Sequence, residues 1–260
     1  MRKLPLPKKL GIMERLYGAS LEAQGICWVK TSPGPRWKLD LADSSQRWIV
    51  FGDYEGSLQM NWIRAWLRDG GLVVDSGANI GQMLLYMASQ TPARILAFEP
   101  LPSARVWLQD CLENYPTWNV EVLNCGLSDQ TGAEILRDFG ALSTTRSDWY
   151  TTESLAEVSI ETHTLDALLE ARDFPQVRLW KLDVEGGELQ ALNGARRNLE
   201  RQRIAAVLVE SGPGRFDELL RFFAEVGYSL FRIRKWGRLE PIGLGTPQTH
   251  GNLLALPAKT

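Results

Sequence analysis

From residue 72 onward the chain alternates short apolar runs with stretches of helical periodicity, and several runs end in an acid. Residues 72–75 and 95–99 are apolar without alternation until Asp75 and Glu99, the pattern of strands buried on both faces. Between them Ser76, Gly77, Ala78, Asn79, Ile80 and Gly81 form a turn that opens a helical stretch over 80–89. Further strands are predicted at 120–127, 177–183, 204–210 and 228–233. Helices are predicted at 103–114 (capped by Ser103), 165–171, 188–199 and 216–226. The run 252–256 follows the sixth strand too closely for a crossover helix, so it is predicted antiparallel. Residues 134–136 and 158–162 are predicted to pair, giving an inserted hairpin at about 132–163. The fold class is α/β: an open sheet of six parallel strands with an antiparallel seventh near one edge.

Residues 1–70 read differently. A helix is predicted over 10–24, then a hairpin of 36–41 and 47–51 around the polar loop 42–46. Ser57 is placed to cap a helix carrying Leu58, Trp62, Ile63, Trp66 and Leu67, which Gly70-Gly71 end. The expected organisation is an N-terminal cap over 1–70 and a main domain over 71–260.

Composition narrows the function classes. A chain of 260 residues with 44% hydrophobic and 23% charged positions can bury a large core. A net charge of -2 gives no bulk attraction to nucleic acid, and no apolar run is long enough to span a bilayer. The basic start MRKLPLPKKLG, broken by Pro5 and Pro7, lacks the apolar core of a secretory signal. Cys27, Cys111 and Cys125 are odd in number with no Cys-x-x-Cys pair, so reduced thiols and a cytoplasmic location are expected.

In such sheets ligands bind at the carboxyl ends of the strands, beside the first. Asp75, Glu99, Asp183 and Glu210 end four predicted strands there. The turn lacks the Gly-x-Gly-x-x-Gly spacing that pyrophosphate needs, and Asp75 would repel phosphate. S-adenosylmethionine carries no phosphate. Asp75 suits its ammonium, directly or through water, the amides of Gly77 to Gly81 and the start of the following helix its carboxylate, and Glu99 its ribose hydroxyls.

The segments VVDSGANIGQ, AFEPLP, NCGLSDQTG, HTLDALL and LWKLDVEGGELQALNGA, followed by LVES and NLLALP, resemble the FkbM-type methyltransferases over about residues 70–257. The resemblance implies a Rossmann-like class I methyltransferase sheet and O-methylation of a small metabolite or a saccharide, at a hydroxyl or carboxyl. By the same likeness Asp75, Gly77, Asn79, Gly81 and Glu99 are cofactor residues, with Gly126 to Asp129 as an adenine wall; Asp183, at its strand end, is expected to face the methyl. The rival readings are a nicotinamide-dependent oxidoreductase and a non-catalytic nucleoside-binding module.

A hydroxyl nucleophile must lose its proton, which requires a base or a cation. Lys181, Asp183 and Glu185 alternate and share one side if the strand runs through Glu185. Asp183 is the leading candidate, with Lys181 and Glu185 beside it; the alternative for Glu185, just before Gly186-Gly187, is a place in the turn where it binds substrate. His250, just before the last strand, is a candidate base on a loop over 234–249, and His163 reads as a packing residue. Asp183 and Glu210 form a candidate divalent-metal pair, but two carboxylates are a thin ligand set, and metal-independent transfer is the favoured reading. Of ten tryptophans, Trp37, Trp48, Trp62 and Trp66 fall in the cap and Trp149 in the insertion; packing is favoured over stacking on an acceptor. Arg146 and the basic run 234–238 read as solvated.

Overall fold

The computed structural model describes residues 9–31, 34–52, 57–138, 156–173, 176–212, 214–243, 245–246 and 251–258. Its N-terminal part comprises α1 (Lys9–Glu22), β1 (Ile26–Lys30), β2 (Arg36–Asp40), α2 (Ser44–Phe51) and α3 (Leu58–Trp66). The remainder runs β3 (Leu72–Ser76), α4 (Leu84–Gln90), β4 (Arg94–Phe98), α5 (Pro102–Leu112), β5 (Val120–Leu123), β6 (Gly126–Leu127), β7 (Gly132–Asp138), β8 (Ala156–His163) and α6 (Leu165–Ala171). It continues with β9 (Leu179–Leu182), α7 (Glu188–Asn193), α8 (Arg196–Glu200), β10 (Val207–Ser211), α9 (Phe216–Glu225), β11 (Tyr228–Ile233), β12 (Leu239–Ile242) and β13 (Gly251–Pro257).

The main sheet has the order β12-β11-β13-β10-β9-β3-β4-β5. β3, β4, β5, β9 and β10 are parallel neighbours, and β13 lies antiparallel between β10 and β11. The antiparallel strand therefore sits where the chain pattern put it. The sheet also has an eighth strand. Residues 239–242 were expected within a loop, but β12 pairs antiparallel with the edge of β11. Pro241 hides it in the sequence, and proline is tolerated there because an edge strand has a free side.

The chain order reverses between β3 and β9. Successive residues of the central strands feed opposite faces: Val73 and Ile95 join one apolar cluster, Val74 and Leu96 the other. This double burial explains the unalternating runs. Trp37, Leu39, Ile49, Met60 and Ile63 share a cluster with Val73 and Leu84, so the N-terminal elements close one face of the sheet.

The expected N-terminal hairpin is replaced. β2 pairs with β1, Cys27 facing Leu39 and Val29 facing Trp37. Residues 47–51 lie instead in α2. The Asp43 side chain accepts from Ser45 N and caps that helix, and Gly52, at φ 75°, ends it. Three smaller differences follow. α5 opens on Pro102 with no side-chain cap, so Ser103 lies inside its first turn. The helix expected from residue 80 begins at Leu84. The strand expected over 120–127 breaks at Asn124, and β6 leaves to pair with β8. β7 and β8 form an antiparallel hairpin with Glu134 opposite Ile160 and Leu136 opposite Val158.

Candidate active site

Register brings the acids together. Asp75 pairs with Lys181 across β3 and β9. Val209 pairs with Leu182, so Glu210 falls beside Asp183 one step further. Lys181 is buried, and its Nζ lies 3.4 Å from Asp75 Oδ1, 3.3 Å from Asp183 Oδ2 and 2.9 Å from the Gly77 carbonyl that accepts from it. Burial works against the ammonium charge, but Asp183 and Asp75 hold Lys181 above its usual pKa. Burial likewise raises Asp75, opposed by Lys181.

Asp75 is only 1% exposed and does not line the cavity described below. Its carboxylate lies against Lys181, so of the two expected contacts with a ligand ammonium, direct or through water, the direct one is not open to it. The five amides of the turn are also committed. Gly77 N and Ala78 N donate to Phe98 O, Asn79 N to Glu99 Oε2, Ile80 N to Asn79 Oδ1 and Gly81 N to Ala78 O. The turn therefore holds itself and Glu99 in place instead of presenting free N–H groups to a carboxylate. Gly77 serves close approach: at φ 74°, a Cβ there would stand 1.8 Å from the Asp183 carbonyl oxygen. Gly81 packs beside Leu85 and Leu108, away from the cavity lining.

Glu99 is held by two backbone amides. Its Oε2 accepts from Asn79 N at 2.6 Å and its Oε1 from Leu101 N at 2.9 Å. Burial nevertheless pushes its pKa up to about 7, against those two amides. Each oxygen keeps a lone pair for a hydroxyl donor.

The strand β9 ends at Leu182, so Glu185 follows not the strand alternation but the alternative, a position in the turn. Glu185 reaches the same place by a left-handed bend, φ 50°, in a turn whose Val184 and Gly186 amides both donate to Glu188 Oε1. One carboxylate oxygen each of Asp183, Glu185 and Glu210 lies within 4.8 Å of the others. Burial pushes the Asp183 carboxyl up, but Lys181 and a hydrogen bond from Glu210 outweigh it and hold Asp183 low. The Asp183 charge, with burial, pushes Glu210 up to about 9. The two carboxyls are thus pushed apart, Asp183 toward the ionised form and Glu210 toward the protonated form.

These groups border a cavity of about 380 Å³. Gly77, Asn79, Glu99, Gly126, Lys181, Asp183, Glu185 and Glu210 all line it. Asp129 is exposed and does not; Leu127 and Ser128 occupy that wall instead. His250, Arg146 and Trp149 lie outside the described residues. His163 bonds Glu161 at 2.8 Å. Trp37 is core and Trp62 stacks on Trp66 at 5.0 Å, whereas Trp48 lines the cavity.

Several lining residues had no motif to announce them. Glu134, Leu136, Ile160 and Thr162 come from the β7–β8 hairpin, Ser45 and Trp48 from α2, and Asn252 from β13 opposite Glu210. Period-two alternation in the hairpin was the one usable signal, since it sets 134 with 136 and 160 with 162 on one face.

The residues fit a phosphate-free nucleoside bearing positive charge. Glu99 offers two lone pairs, and the one described lining cation, Lys181, is committed to Gly77, Asp75 and Asp183. The profile of the methyltransferase FkbM domain matches residues 75–230, more than half of the chain, which therefore belongs to that family. It is 31% identical to Methyltransferase 1 of Beauveria bassiana over 48% of this chain and 59% of that protein. It is 30% identical to the hexuronic acid methyltransferase AglP of Haloferax volcanii over 53% of this chain and 55% of that one. The matches thus span less than two thirds of each relative. Among solved structures, the precorrin-6y C5,15-methyltransferase of Geobacter metallireducens superposes with a TM-score of 0.44 at 13% identity, over 77% of this chain and 88% of that one.

Proposed function

We propose that this chain transfers a methyl group from S-adenosylmethionine to a hydroxyl of a small metabolite or saccharide. The observation that carries the reading is Glu99, pinned by the Asn79 and Leu101 amides at the β4 end with both oxygens able to accept a ribose hydroxyl. When bound, the cofactor supplies an activated methyl on a sulfonium that departs as a neutral thioether.

The chain's own part is alignment and proton removal. A well-oriented pair of reactants gains about 7–11 kcal/mol from positioning alone. In this reading Asp183, held low by Lys181, takes the acceptor's proton, and Glu210, raised by the Asp183 charge, stands beside it. Glu185, Glu210 and Asn252 are placed to orient the acceptor at the β9–β10 end of the cavity, with Trp48 as an apolar wall. The described wall is rich in acids, so like-charge repulsion favours a neutral hydroxyl over a carboxylate. A relative named for hexuronic acid keeps saccharides in the acceptor class.

Calorimetry with S-adenosylhomocysteine and with a nicotinamide dinucleotide tests the reading. Heat with the first alone, lost in Glu99→Ala, supports it; heat with the second alone replaces it by an oxidoreductase. With an acceptor in hand, Asp183→Asn should lower turnover about a hundredfold or more at nearly unchanged cofactor affinity. Unchanged turnover removes Asp183 from the chemistry.

A further inference from the structure

Helix α1 has two apolar faces. Gly18 is buried and Leu21 half-buried on the side of the cap, and on that side Glu14 Oε1 accepts from Arg47 Nε of α2 at 2.8 Å. On the opposite side Ile12, Leu16, Ala19 and Ala23 recur at i, i+4, i+7 and i+11, and all four are exposed. Ile12 is 45% and Leu16 63% exposed. Ala23 lies just past the helix end, but its N–H still donates to Ala19 O at 3.1 Å, so the stripe keeps its fourth position. Spacing of four, three and four is that of a helix–helix seam, and a helix apolar on both sides packs on both sides.

We propose that this stripe is a two-fold interface in which α1 packs antiparallel against α1 of a second copy of this chain. The argument is self-complementarity. A two-fold axis between residues 17 and 18 sets Ile12 opposite the partner's Ala23 and Leu16 opposite the partner's Ala19, large against small at each level. Arg15 and Glu22 are exposed and flank the stripe on one side, so the same axis puts them on facing flanks, with each Arg15 about 3 Å of rise from the level of the partner's Glu22 and within reach of its long side chain. An anionic bilayer would leave Glu22 facing like charge, which disfavours that occupant. The interface would also support the cavity. Glu14 anchors the buried Arg47, whose helix carries Ser45 and Trp48 into the cavity wall.

Sedimentation velocity of the full chain, from about 1 to about 200 μM, tests this. A paired-helix contact falls below the roughly 1,200 Å² of a standard interface, so a reversible dimer with a micromolar dissociation constant is expected. Leu16→Glu should raise that constant at least about tenfold. Arg15→Glu and Glu22→Arg should each weaken the dimer, and the two together should restore it. Circular dichroism checks that each variant stays folded, which the exposure of these side chains favours. A wild-type monomer throughout the range, a dimer indifferent to Leu16→Glu, or no recovery in the double charge reversal would overturn the proposal.

Discussion

Lys181 Nζ stands 3.3 Å from Asp183 Oδ2, two residues further along the same strand end. The same ammonium reaches back to Asp75, so one buried cation joins two strands and sets the charge of the acid facing the cavity. Removing one member of a buried ion network leaves charges unpaired at a cost of about 3–5 kcal/mol. Lys181→Met is therefore expected to lower the melting temperature sharply. Lys181→Met with Asp183→Asn should lose less than the sum of the singles, with a coupling of about 1–3 kcal/mol in chemical denaturation. Additive losses would mean that the two groups do not act as a pair.

Glu99 yields a pH prediction for binding. Burial places its pKa at about 7, so the carboxylate protonates as pH falls through neutrality. The ionised form accepts hydroxyls with both oxygens, whereas the protonated form turns one acceptor into a donor. S-adenosylhomocysteine should bind more tightly at about pH 8 than at about pH 6, and Glu99→Gln should bind at least about tenfold more weakly with a flat profile. Titration calorimetry at the two pH values checks both; a wild-type affinity that ignores pH would remove Glu99 from ribose binding.

The parts of this site legible in the sequence are those that strand periodicity fixes. Asp75, Glu99, Asp183 and Glu210 end strands, and their runs are apolar because both sheet faces are buried. The role of one of them, Asp75, was not legible. Whether Asp75 meets a ligand or a lysine depends on register between strands about a hundred residues apart, which no local pattern carries. Residues 47–51 are apolar after Arg47 and include the β-branched Ile49 and Val50, yet the cap from Asp43 and the left-handed Gly52 make them helical, and that helix brings Trp48, for which packing was favoured over stacking, to the cavity. Glu185 reaches the cavity by the second of its two expected routes, the turn before Gly186-Gly187 and not a continuing strand.

The Asp183–Glu210 pair predicts how stability follows pH. Glu210 is raised in the folded state to about 9 by the Asp183 charge and by burial, from an ordinary 4.5. A group raised on folding stabilises fully below its unfolded pKa and loses that contribution as pH climbs to the folded value. Asp183, held low, works in the opposite direction and loses its contribution only in acid. Between about pH 6 and about pH 9 the melting temperature should therefore fall, and Glu210→Gln should flatten that slope. A wild-type slope equal to the Gln variant's would show that Glu210 titrates normally.

The last prediction concerns the contact between the β3 turn and the end of β9. Gly77 has φ 74°, and a Cβ at that position would stand 1.8 Å from the Asp183 carbonyl oxygen. Backbone cannot yield as a flexible side chain does, so Gly77→Ala must push the turn away from β9. Left-handed strain and the displaced strand end together should cost about 3 kcal/mol or more. For a domain of this size that is roughly 6–12 °C in melting temperature. Because the same turn fixes Glu99 through Asn79 N, affinity for S-adenosylhomocysteine should fall along with stability. Gly132→Ala is the matched control: a Cβ there meets nothing within 4 Å, and its backbone is not left-handed. That variant should melt within about 1 °C of wild type. If Gly77→Ala behaved like Gly132→Ala in both melting and binding, the close approach of the turn to β9 would not be what positions Glu99.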